Sequence, residues 1–104
     1  MVNPLAGEVS VFIDGNAHVC KLTLGALAEL ESQLEERSMV DLVKRFESGN
    51  YAGRDVMALI VAGLRGGGWQ GSTADLLTAD IAGGPIGAAQ IAATLLARAF
   101  TPPA

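Results

Sequence analysis

The stretch "EVSVFIDGNAHVCKLTLGALAELE", residues 8–31, decides the fold. Its opening residues alternate, with Val9, Val11 and Ile13 on one face of a strand. Asp14-Gly15-Asn16 is a strong hairpin signal, because Gly15 and Asn16 tolerate the positive φ of a tight turn. Residues 17–22 then return as a second strand. The turn centres on Asp14-Gly15 or on Gly15-Asn16, and the sequence leaves that register open. A two-stranded ribbon is marginal alone, so one face must lean on helices or on another chain.

Thr23 reads as the N-cap of a helix running to about Glu36. Leu24, Leu27 and Leu34, with Leu30 and Ala28 adjoining, form its apolar stripe, while Glu29, Glu31, Glu35 and Glu36 face outward or toward a partner. Gly25 lies in the first turn, where it costs up to about 1 kcal/mol against Ala. That cost predicts close packing against the hairpin.

Downstream, Ser38 and Asp41 make a capping box for a second helix. It carries Met39, Leu42, Val43 and Phe46 and ends near Ser48-Gly49. A third helix begins near Gly53, with Val56, Leu59, Ile60, Gly63 and Leu64 as its main stripe. Met57 and Val61 widen that stripe, the mark of a central helix. Gly66-Gly67-Gly68 stops it. Ser72 and Asp75 open a short helix through Leu76, Leu77 and Ile81, which "AGGP" at 82–85 breaks. Pro85 suits the first position of a last helix to about Phe100, with Ile91, Leu95 and Ala99 on one stripe. The expected class is α+β, mainly α: an N-terminal β-hairpin followed by about five short helices. The expected organisation is a single domain, 1–104, with the hairpin at 8–22, a helical body at 23–100 and a frayed tail at 101–104.

Seven Lys/Arg against eleven Asp/Glu give a formal net charge of −4, which disfavours nucleic-acid binding, since phosphates demand a concentrated basic face. A DNA-binding regulator would have to read bases through the helix at 38–48, whose only cations there are Lys44 and Arg45. Cys20 is the only cysteine, as in many proteins of a reducing cytoplasm. The N-terminus has no basic segment followed by an apolar run, so no signal peptide is expected. The apolar run at 56–64 falls far short of the roughly 20 residues of a membrane span.

Catalytic and metal chemistry find no support. The glycines of "GLRGGGWQG" lack the phosphate-loop pattern and read as a flexible link. His18 and Cys20 share a strand face, but structural zinc wants four protein ligands and there is no further His or Cys. A Cys-His nucleophilic pair needs its base within about 3 Å, closer than strand-face neighbours stand. The carboxylates are accounted for by caps, a turn and a solvated helix face. Trp69, in the glycine link, is either a lid on the core or an aromatic anchor for a partner.

The order of the pieces carries more than any one of them. "VFIDG" runs into "LTLGALAELE", followed by "LVKRFESGNYAGRDVMALIVAGLRGGG" and "GGPIGAAQIAATLLARAF". Over roughly residues 7–100 this resembles the small tail-module proteins of gene transfer agents and siphophage-like tails, classed with tail assembly chaperones. The resemblance implies a noncatalytic protein, cytoplasmic during assembly, that binds the tape measure protein and helps bring tail tube subunits to it. The alternative is a structural tail component such as a tube, terminator or adaptor subunit, although a tube protein is expected to be richer in strands. Self-association is compatible with either, and no cofactor, membrane or nucleic acid is implied. On this expectation one face near Leu27, Leu30, Leu34, Met39 and Phe46 receives a helical partner, with Glu31 and Glu35 steering it and Trp69 as a further anchor. The competing reading of the same residues is plain core.

Overall fold

The computed structural model describes Asn3 and residues 6–33 and 38–100. The chain forms a hairpin, β1 (Val9–Ile13) and β2 (Asn16–Cys20), then five helices. These are α1 (Leu24–Gln33), α2 (Met39–Ser48), α3 (Gly53–Gly66), α4 (Thr73–Leu76) and α5 (Gly84–Phe100). Leu34, Glu35 and Glu36, the expected end of the first helix, lie outside the described residues.

The two strands pair antiparallel, Val9 opposite Cys20 and Ile13 opposite Asn16. The turn is therefore Asp14-Gly15, with φ of 50° and 82°. Positive φ at both central residues matches the right-handed twist of the strands, the geometry that favours Asp-Gly loops. The second strand ends at Cys20, short of the expected Leu22. The Lys21 N–H leaves the sheet and donates to the Gly63 carbonyl of α3 at 2.8 Å. Thr23 is the expected cap, its Oγ1 accepting from the Ala26 N–H at 3.1 Å.

Val9, Val11 and Ile13 are all buried, so one face of the ribbon rests on the helices. Helix α3 is the centre, packing against α1, β2, α4 and α5. Leu30, Leu42, Leu59, Ile60, Leu64 and Leu95 are the largest fully buried side chains and come from four helices. The C-terminal turn of α3 lies directly against the backbone of the hairpin. A Cβ at Gly66 would stand 2.0 Å from the Lys21 carbonyl oxygen, and one at Gly67 would stand 1.9 Å from that of Val19. Glycine is required at these two positions by close approach, so Gly66 and Gly67 seat the hairpin as well as ending the helix. At Gly25 the reverse holds: a Cβ would meet only the Thr23 hydroxyl oxygen, at 3.9 Å, so the expected close packing is absent.

The largest departure from expectation lies after α4. That helix makes a single turn and ends at Leu76 rather than continuing to Ile81. Ile81 instead forms an antiparallel bridge with Ile13 on the outer edge of β1. The Asp14 N–H donates to the Asp80 carbonyl at 2.8 Å, the Ala82 N–H to the Phe12 carbonyl at 3.0 Å, and the Asp80 N–H to Asp14 Oδ1 at 2.9 Å. Three hydrogen bonds to a strand edge offset the helical bonds that the segment forgoes. Residues 80–82 thus form a strap across β1. Among the described residues no helix is long and apolar enough to cross a membrane.

Candidate functional site

An apolar groove of about 820 Å³ opens where the start of α3 meets α4, the strap and the start of α5. Its construction begins with an ion pair. Arg45 Nη2 donates to Asp55 Oδ1 at 2.9 Å, and Asp55 is only 2 % exposed. The other carboxylate oxygen, Oδ2, accepts from the Ala52 N–H at 2.8 Å, capping α3. One carboxylate therefore ties the end of α2, the loop at 49–52 and the start of α3 together. That loop carries Tyr51, whose ring stacks on Phe46 with centroids 4.6 Å apart and planes 9° apart. The stacked pair forms one wall.

Val56, Met57 and Ile60 of α3 line the groove, with Leu76, Leu77 and the strap on another side. Ala88, Ala89 and Ala93 of α5 leave it open, since small side chains fill little of the space between helices. Leu77 and Ile86 stand at the rim, 67 % and 75 % exposed. Among the described residues Asp80 is the only charged one in the lining.

Of the residues expected from sequence to meet a partner, only Phe46 lines this groove. Leu30 is fully buried where α1 packs on α3, so in the folded chain its side chain serves the core. Leu27 and Met39 are partly buried against that core, and Glu31 is exposed on α1. Leu34 lies outside the described residues. Trp69 is folded back against the core beside a separate cleft, where Arg65 Nε pairs with Glu29 Oε1 at 3.0 Å. The groove residues that sequence reasoning missed are Tyr51, Met57, Leu77, Asp80 and Ile86. Ile86 does carry a signal: it is a large apolar side chain that falls off the Ile91, Leu95 and Ala99 stripe of α5.

Cys20 is fully buried, and burial pushes its thiol up to about 12. At neutral pH it is an unionised core side chain, without the thiolate that nucleophilic chemistry requires. Among the described residues no group of three or more His, Cys, Asp or Glu could hold a metal ion.

The family model described as phage tail tube protein, GTA-gp10, matches residues 6–101. No curated protein and no solved structure matches the chain.

Proposed function

Because the chain belongs to the family of phage tail tube protein, GTA-gp10, a family of non-catalytic structural tail proteins, we propose that it is a structural component of the tail of a phage-like particle or gene transfer agent. The family match over nearly the whole chain carries this reading. The open apolar groove supports it, because a protein that works by assembly must keep a surface for a neighbour. The decisive experiment is quantitative mass spectrometry of purified particles. The structural reading expects the protein in a fixed ratio to the other tail proteins, and its absence from intact tails refutes it.

One observation favours a second reading, a tail assembly chaperone that binds the tape measure protein and aids tube assembly in the cytoplasm. A subunit that builds a tube by sharing sheets needs open strand edges. Here the strap covers the turn-proximal end of β1, and Arg98 Nη1 donates to the Glu8 carbonyl just before the strand. On the opposite side, the backbone around Gly67 presses on the Val19 carbonyl of β2. Co-expression with the tape measure protein separates the readings. A chaperone co-purifies with it before assembly and is lost from finished particles, whereas a structural subunit stays.

A further inference from the structure

We propose that the groove beside α3 receives an amphipathic helix from another protein, bearing a lysine or arginine at the end that faces Asp80. The groove is lined by apolar side chains of four helices, and Leu77 and Ile86 project from its rim into solvent. Projecting ridges beside a trough of alanines match the surface of a helix with apolar residues at i, i+3, i+4 and i+7. A compact small molecule would leave both ridges exposed.

Charge sets the partner's polarity. Among the described residues the lining holds one carboxylate, Asp80, and no Lys or Arg. The Asp80 N–H and carbonyl are both bonded to Asp14, while its carboxylate has no hydrogen-bond or ion-pair partner among the described residues. Asp14 adds a second exposed carboxylate at the same end. An occupant that buries this end must bring a cation or leave the carboxylate desolvated and unpaired, which is costly. A second copy of this chain carries a net charge of −4, so its approach to this acidic end is opposed at long range.

The test uses the full chain and two synthetic eighteen-residue amphipathic helices with leucine on one face. One carries lysine on the other face and the second carries glutamate. Amide chemical shifts are followed during titration at low salt. The proposal expects the Leu/Lys peptide to shift Asp80, Leu77, Ile86 and Ala89, and the Leu/Glu peptide to bind at least about fivefold more weakly. Asp80→Asn should weaken the Leu/Lys peptide about threefold, as for a partly exposed ion pair. Ile86→Glu and Leu77→Glu should each weaken it about tenfold or more, as expected for losing a buried aliphatic contact. Leu24→Glu, on an apolar side chain 87 % exposed and outside the groove, should leave binding unchanged. The amide spectrum of each variant verifies its fold, and Asp80→Asn keeps the backbone bonds of the strap.

Equal binding of the two peptides, or indifference to Asp80→Asn, overturns the cation requirement. Shifts confined to other surfaces overturn the groove. Groove signals that move with protein concentration alone, and stop moving in Ile86→Glu, identify a second copy as the occupant and overturn the proposal too. The proposal deepens the tail reading and rests on it only for the source of the helix. Failed peptide binding with retained particle association discards the groove and keeps the tail role, and the opposite pattern does the reverse.

Discussion

Adding a methyl group at Gly66 places it 2.0 Å from the Lys21 carbonyl oxygen, whereas at Gly25 it meets only the Thr23 hydroxyl oxygen at 3.9 Å. The two glycines should therefore respond to alanine with opposite signs. Gly25→Ala is expected to raise stability by up to about 1 kcal/mol through helix propensity. Gly66→Ala must move backbone and is expected to lose about 2–3 kcal/mol. Urea denaturation of both variants checks the pair, and equal effects would mean that α3 does not rest on the hairpin. Asp55 makes a stronger demand. Its removal leaves Arg45, half-buried and already with an unbonded buried Nε, without a counter-charge. Asp55→Ala should cost about 3 kcal/mol. Arg45→Met added to it should recover part of the loss, because the uncompensated charge goes too. A double variant as unstable as the sum of the two single changes would show that the pair is not coupled.

At the level of elements, sequence and structure agree where the signal is local. Alternation plus Asp-Gly specified the hairpin, Thr23 and Ser38 specified the first turns of α1 and α2, and the wide apolar face of α3 announced its central place. The strap was not legible. It is three residues long, too short for any periodicity, and its bonding partners lie 66 or more residues away in the chain. The groove was hidden for a related reason. Stripes mark the residues that fill a core, whereas the groove is completed by residues outside them, such as Tyr51, Asp80, Ile86 and Ala89. Asp14 holds the strap through its side chain and sits at φ of 50° itself. Asp14→Ala removes one hydrogen bond and strains the turn, so the strap should loosen at a cost of about 1–2 kcal/mol. Native-state hydrogen exchange is the measurement. The Asp80 and Ala82 amides should exchange at least tenfold faster in the variant while those of α3 change less.

Taken as one body, the molecule is built around a single helix. Because α3 touches α1, β2, α4 and α5, it can open only when most of the structure does. Its amides from Leu59 to Leu64 should therefore be the slowest to exchange, at the rate of global unfolding. Slower exchange in α5 would place the centre elsewhere. This helix also explains how function and stability divide the chain. The C-terminal half of α3 is committed to the hairpin, whereas its N-terminal half, from Gly53 to Ile60, lines the groove with one side.

The strap has a consequence for the chain before it finds its partners. "VSVFI" is, apart from Ser10, a run of β-branched and aromatic residues without charge or proline, the composition that nucleates cross-β stacking when its edge is bare. A naked edge on each copy would invite amyloid-like ribbons wherever copies of the chain accumulate. The strap occupies the turn-proximal end of that edge, so an incoming strand finds only part of it open.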